Sequence, residues 1–290
     1  MIDINCCKLY NYVWNIKHHR RYFIMLIDFH THAFPDTVAP KAMDKLSYVS
    51  GGLMPQSEGT VSSLKQEMKK DDVDISVVLS IATSPGQQTN VNNFAKEIND
   101  EESIFAFGSV HPDAENVLEE LERIKDMGLK GIKFHPEYQK FYVDDEKMKP
   151  IYKKISSLGL VTVFHSGYDY GYAPPYHCMP DNLLGALKWF DSPVIAAHWG
   201  GIDCATTVIE KLCTKDVWLD LSFGYCMMPK VFAQQIVDKH TPDRLIFASD
   251  MPWHRPSWEK QLIETLDISK EDKDKIYYKN AMKLLNIQNR

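Results

Sequence analysis

The chain has no stretch approaching the ~18 to 20 consecutive apolar residues that a membrane helix needs; its longest apolar runs are strand-length. It also lacks a basic excess, with Lys+Arg 33 against Asp+Glu 39 and a net charge of -6. Without that basic field, nucleic acid is excluded as an expected partner. Six cysteines (Cys6, Cys7, Cys178, Cys204, Cys213 and Cys226) are irregularly spaced, with no CxxC pair and no secretory signal. They read as reduced thiols of a cytoplasmic protein, not as a disulfide framework. No GxGxxG turn follows the first strand pattern, so a dinucleotide-binding fold finds no support.

What is present is ample core material: 290 residues, 44% hydrophobic, 25% charged and 11% aromatic. Disorder is excluded, and the length suits one α/β barrel of about 250 residues. Strand-like runs fall at 24–29, 75–81, 104–110, 131–135, 160–165, 193–198, 217–222 and 245–249. Helical patterns fall between and after them, at 61–70, 91–99, 114–127, 146–158, 181–190, 204–212, 229–239 and 258–266. Gly128 and Gly159 stand where helix C-caps belong, and Asp113 and Asp181 read as N-caps. The strands are nearly continuous apolar runs, the pattern of parallel strands covered on both sides. Eight βα repeats predict a (β/α)8 TIM barrel, with irregular stretches at 31–60 and 168–180 serving as active-site loops.

The basic cluster Lys17 to Arg21 follows the mildly apolar part of the N-terminus, the reverse of an export signal. Residues 1–24 read as an extension and 25–290 as one barrel domain, with Met25 as an alternative start.

Polar residues gather at the C-terminal ends of the strand patterns. Strand 1 runs Ile27-Asp28-Phe29-His30-Thr31-His32, and period-two alternation sends His30 and His32 to one side, where two imidazoles can share a metal. His165 ends strand 5, His198 strand 6 and Asp250 strand 8. A lone strand-end histidine is usually structural, and Asp250 alone could cap a helix. Three histidines with a carboxylate at one barrel mouth form a plausible zinc ligand set.

These residues, with the His198-Trp199-Gly200-Gly201 and Ser249-Asp250-Met251-Pro252 turns and the terminal Asn280-Ala281-Met282-Lys283-Leu284-Leu285 segment, resemble the amidohydrolase superfamily. The similarity is greatest to its amidohydrolase-2 branch, which includes aminocarboxymuconate-semialdehyde-decarboxylase-like enzymes. It covers nearly the whole chain from Met25. The resemblance implies that His30, His32, His165 and Asp250 hold one divalent ion, usually Zn2+ with Mn2+ as the alternative. His198 would orient the attacking water or bind a second metal, and His198 and Asp250 would be the catalytic residues. Some branches bridge two metals through a strand-4 residue, here Lys133; the expectation is one metal, with Lys133 and His135 binding substrate oxygens. Tyr168, in an aromatic loop, and Trp253 are further substrate-binding candidates, and Arg255 suits a bidentate grip on a carboxylate.

The expected function is hydrolysis of a small polar, acidic molecule by a metal-activated water. The same ligands also serve non-oxidative decarboxylases and hydratases, and a non-catalytic binding barrel is the remaining alternative. The expected partner is the small-molecule substrate, with neither nucleic acid nor membrane, and a homo-oligomer is left open. A chain starting at Met25 is expected to fold and keep full activity. Insolubility of that truncated protein would show residues 1–24 to be structural.

Overall fold

The computed structural model describes residues 25–288; the 1–24 extension lies outside the described residues. The strands are β1 (Ile27–Thr31), β2 (Ile75–Leu79), β3 (Ile104–Phe107), β4 (Gly131–Phe134), β5 (Val161–Phe164), β6 (Val194–Ala196), β7 (Trp218–Asp220) and β8 (Leu245–Ile246). All neighbours in the ladders β1-β2-β3 and β4-β5-β6-β7-β8 are parallel. Just past β3, Gly108 joins the two ladders: its N–H donates to Gly131 O at 2.9 Å and its carbonyl accepts from Lys133 N at 2.9 Å. The ring closes where Phe29 N donates to Phe247 O (3.0 Å) and Asp250 N to His30 O (2.8 Å). The result is the expected TIM barrel.

Every strand residue is buried, as the continuous apolar runs require. Alternation divides them. Phe29, Val77, Phe107, Val163, Ile195 and Trp218 meet in the lumen, while Ile132, Phe134, Phe164 and Phe247 pack outward into a larger cluster with helix residues such as Ile124 and Ile155. The same period explains why the mouth is polar. Gly131 is followed two residues on by Lys133 and then His135; Val161 and Val163 are followed by His165; Trp218 is followed by Asp220 and Ser222. Gly131 is required because a Cβ there would lie 2.3 Å from the Phe107 ring. β1 departs from strict alternation. Phe29 already faces the lumen, and a register irregularity between Asp28 and Thr31 turns His30 inward as well.

The helices are α1 (Ala39–Val49), α2 (Val61–Lys70), α3 (Gln88–Ile98), α4 (Val117–Asp126), α5 (Pro136–Gln139), α6 (Lys149–Ser157), α7 (Pro180–Leu187), α8 (Ala205–Thr207), α9 (Lys230–His240), α10 (Pro256–Glu264), α11 (Lys270–Asp274) and α12 (Asn280–Leu285). None among the described residues is long and apolar enough to cross a membrane. Thr60 and Ser63 cap α2 reciprocally. Gly128 and Gly159 (φ +82° and +64°) end α4 and α6 as expected, and Leu129 N and Leu160 N reach back to Ile124 O and Ile155 O. Asp113 is not a cap: the chain makes two tight turns first, and α4 starts after Asn116. Asp181 lies inside the first turn of α7, where its charge meets the helix dipole, and Met179 holds the cap position. The 31–60 stretch is not wholly irregular, since α1 forms within it; Pro40 starts it and Ala39 and Met43 bury one face.

α12 closes the floor of the barrel, with Ala281, Met282 and Leu285 joining the lumen cluster. Leu285 is fully buried. Leu285→Ala is expected to cost about 2–5 kcal/mol by leaving a cavity beneath the lumen. The corresponding fall in urea midpoint checks this; an unchanged midpoint would mean that α12 does not carry the floor.

Candidate metal centre and active site

Three strand-end donors converge at the mouth. His30 Nε2 lies 3.2 Å from His32 Nε2, and Asp250 Oδ1 lies 3.3 Å from the first and 3.2 Å from the second. What lies behind each ring fixes where its hydrogen is. His32 Nδ1 is 2.9 Å from the Leu79 carbonyl and His30 Nδ1 is 2.8 Å from Asp220 Oδ2; both partners only accept, so both Nδ1 atoms carry hydrogen. With one hydrogen per ring, the two Nε2 atoms are bare lone pairs aimed at each other and at a carboxylate oxygen. Such an arrangement is repulsive without a cation between the atoms, and backing of each ligating imidazole by a carbonyl or carboxylate is the usual support for a metal-binding histidine. Lys133 Nζ, 3.2 Å from His30 Nε2, offsets part of this repulsion by donating to His30. Among the described residues no ion pair joins Lys133 to Asp250. The donor set fits a divalent metal.

The fourth expected ligand, His165, is not within that group of donors. Its Nδ1 lies 3.1 Å from His198 Nε2, and its ring stacks on His135 at 4.1 Å and 13°. His135, His165 and Asp169 also approach one another closely. Parallel stacked rings, however, direct their lone pairs along parallel planes, which cannot meet on one ion. His30, His198 and Asp220 form a further close group, but Asp220 already accepts from the His30 ring and from the His198 N–H (2.9 Å).

Asp220 and Ser222, buried on β7 and just beyond it, were not singled out in the sequence. The signal was present: the Trp218, Asp220, Ser222 spacing places all three on the lumen face. Ser222 Oγ donates to Asp220 Oδ1 at 2.5 Å and stands 2.9 Å from His198 Nδ1. Two turns at the strand ends adopt the left-handed backbone region without glycine: His198 (φ +61°) with Trp199 (φ +57°), and Asp250 (φ +73°). Trp199 N is held by Asp220 O at 2.7 Å. Beside Asp250, Ser249 donates through N and Oγ to Asp28 (2.9 and 2.5 Å).

The remaining expected residues have mixed placements. His135 is buried between Tyr138 (3.6 Å, stacked) and His165, and its Nδ1 has no hydrogen-bond partner. The carbonyl of Tyr168 faces His165 Nε2 at 3.3 Å, while its ring is partly exposed against Tyr176. Trp253 is half-buried in the turn that its N–H closes onto Asp250 O. The Arg255 guanidinium is engaged by Glu67 Oε2 at 2.8 Å and Asp71 Oδ1 at 3.2 Å. Its neighbour His254 is buried; Nδ1 lies 2.7 Å from Glu259, whose other oxygen accepts from Gly224 N and Tyr225 N. The His254 ring stacks on Phe223, which contacts His198 edge-on. Spacing alone could not pair a loop histidine with a helix glutamate five residues later.

Burial dominates the protonation of the site. It pushes His30, His135 and His198 well below the usual histidine range and His165 to about 3, so all four are neutral at pH 7. Burial lowers Lys133 to about 8 against the pull of Asp220 and Asp250, and raises Asp28 to about 7 against its hydrogen bonds from Ser249 and His30.

A TIM barrel with two histidines and an aspartate converging at its C-terminal mouth is the frame of a metal-dependent enzyme. The family model for amidohydrolases (Amidohydro_2) matches residues 27–287, and the chain belongs to that family. Its members are metal-dependent enzymes acting on small molecules. A search of curated proteins gave no match. Among solved structures, the chain is similar to an uncharacterised TIM-barrel protein of Bordetella bronchiseptica (TM-score 0.72, 18% identity, covering 91% of this chain and 99% of that one). It is also similar to the 5-carboxyvanillate decarboxylase of Sphingomonas paucimobilis (0.69, 16%, 91% and 100%). A third is a dihydroxybenzoic acid decarboxylase of a Polaromonas species, with bound manganese and the inhibitor 2-nitroresorcinol (0.67, 14%, 92% and 98%).

Protein purified without chelator is expected to carry close to one divalent ion per chain by elemental analysis, and His30→Ala to lose most of it. Asp220→Asn makes a sharper case. The backbone N–H groups of His198 and Ser222 both donate to Oδ1, so the amide oxygen must sit there and the NH2 must face His30 Nδ1. His30 would then carry its hydrogen on Nε2, the nitrogen needed for the metal, and affinity is expected to fall about 10–100-fold in chelator competition. Stoichiometric metal in His30→Ala would overturn the assignment.

Proposed function

We propose that the protein is a metal-dependent hydrolase that directs a water molecule at a small polar substrate, with one divalent ion, Zn2+ before Mn2+, held by His30, His32 and Asp250. The observation carrying this reading is the convergence of bare His30 Nε2, bare His32 Nε2 and Asp250 Oδ1 on one point, with each histidine backed by an acceptor. His165, the fourth ligand that the family resemblance implies, stands against His198 at 3.1 Å and would join the set only by turning its ring. A bound divalent cation lowers the pKa of water from 15.7 toward ~7 and polarises a substrate oxygen. The Asp250 carboxylate accepts the proton that the attacking water gives up and passes it to the leaving group, while His198 orients that water through a neutral ring nitrogen. Lys133 and His135 face the substrate oxygens. Arg255 is committed to Glu67 and Asp71, so the grip on an acidic substrate falls to Lys133. A second metal finds less support, because the donor atoms of His30 and Asp220 and both ring nitrogens of His198 already have hydrogen-bond partners. Cys178, Cys204 and Cys213 are free thiols, which supports a cytoplasmic location.

The second reading is non-oxidative decarboxylation; two of the similar structures are named as decarboxylases. It asks for a firm hold on a substrate carboxylate, which with Arg255 engaged would fall to Lys133 here too. The two are separated by screening lactones, amides, phosphate esters and unsaturated or aromatic carboxylic acids. Hydrolysis predicts that solvent oxygen-18 enters the product and that Asp250→Asn lowers turnover ~100-fold or more. Turnover that only releases carbon dioxide, without solvent oxygen in the product, would replace hydrolase by lyase. Binding without turnover of any compound would favour the non-catalytic barrel.

A further inference from the structure

We infer that Ser222 fixes the hydrogen of His198 on Nδ1 and thereby presents Nε2 as the bare nitrogen, making Ser222 a positioning residue for His198. The argument follows a single hydroxyl hydrogen. Ser222 Oγ lies 2.5 Å from Asp220 Oδ1 and 2.9 Å from His198 Nδ1, and the side chain is fully buried. It has one hydrogen to give. At 2.5 Å, two oxygens without a hydrogen between them would face lone pair to lone pair, whereas this distance is normal for a hydroxyl donating to a carboxylate. The hydrogen therefore points to Asp220. Ser222 Oγ can then only accept from His198, so Nδ1 of that ring is N–H and Nε2 is bare.

The assignment propagates. Bare His198 Nε2 lies 3.1 Å from His165 Nδ1, which must supply the hydrogen between them. That leaves His165 Nε2 without hydrogen, facing the Tyr168 carbonyl at 3.3 Å, two acceptors in contact. The chain Asp220, Ser222, His198, His165 thus has one direction and ends at a nitrogen free to bind a cation. The opposite direction would satisfy Tyr168 O but leave Ser222 and Asp220 with no hydrogen between them. Asp220 is the common anchor: Oδ1 orders His198 through Ser222, and Oδ2 orders His30 directly. The benefit to turnover rests on the hydrolase reading, in which His198 must accept; the position of the hydrogen does not.

The test is the tautomer of each ring, read from long-range proton–nitrogen correlations in the 15N-labelled, metal-free full-length chain. In the unaltered protein His198 is expected to be protonated on Nδ1. Ser222→Ala removes one oxygen and adds nothing to the packing. It is expected to shift the tautomer ratio of His198 about tenfold toward Nε2–H, the size of one lost hydrogen bond. His165 should change with it, its Nε2–H now donating to Tyr168 O, while His30 stays as it was. Asp220→Asn should do the reverse, switching His30 and leaving His198, because Ser222 still donates to the amide oxygen. Protonation of His198 on Nε2 in the unaltered protein, or an unchanged ratio in Ser222→Ala, would overturn the inference. Neither metal nor substrate enters the readout, so failure of the hydrolase reading leaves this result standing.

Discussion

The carboxylate of Asp220 is the group on which the arrangement of the mouth depends. It is fully buried, and its two oxygens collect the His30 ring, the Ser222 hydroxyl and the backbone N–H groups of His198 and Ser222. In a low-dielectric interior each of these bonds is strong, and each would be costly to leave unmade. One side chain from β7 therefore sets the orientation of a residue on β1 and another after β6. It also holds the left-handed turn at His198 and Trp199, where the backbone alone would be disfavoured.

The barrel makes such a polar cluster affordable by separating it along the strand axis from the apolar floor. Below the mouth, Phe29, Phe107, Val163 and Trp218 fill the lumen, and Met282 and Leu285 of α12 close it from beneath. Burial of the lower layer stabilises the ring without polar atoms to satisfy. The upper layer then carries groups that burial alone would disfavour, as Asp28 illustrates: its carboxyl is raised to about 7 despite the hydrogen bonds that tie it to Ser249. That tie spans the closing seam between β1 and β8, so the seam and the Asp250 turn are held by the same side chain.

The loop after β8 shows how a promising residue is diverted by its surroundings. Arg255 turns toward Glu67 and Asp71 of the α2 region, where two carboxylates hold its guanidinium. His254 instead enters the mouth, locked by a Glu259 carboxylate that also gathers the Gly224 and Tyr225 N–H groups. The polar lining thus has two imidazole–carboxylate assemblies flanking Phe223, with Lys133 as a buried cation beside His30.

Much was legible from local pattern. Eight apolar runs, each followed by a helical period, predict parallel strands covered on both faces, and an eight-fold repeat of that kind closes naturally as a barrel. The Gly128 and Gly159 stops were readable from single residues, since only a residue tolerating positive φ ends a helix that way. His30, His32 and Asp250 were readable as partners, since strand ends of a barrel share one mouth. Tertiary structure alone decided the rest. The register slip that turns His30 inward depends on pairing with β2, and the α1 helix on the loop packing of Met43. Which nitrogen of each histidine carries hydrogen depends on atoms brought from far along the chain: Leu79 for His32, Asp220 for His30 and Ser222 for His198. Sequence determines which residues line the mouth through a period of two; the direction of each hydrogen bond is set by distances that exist only once the ring has closed.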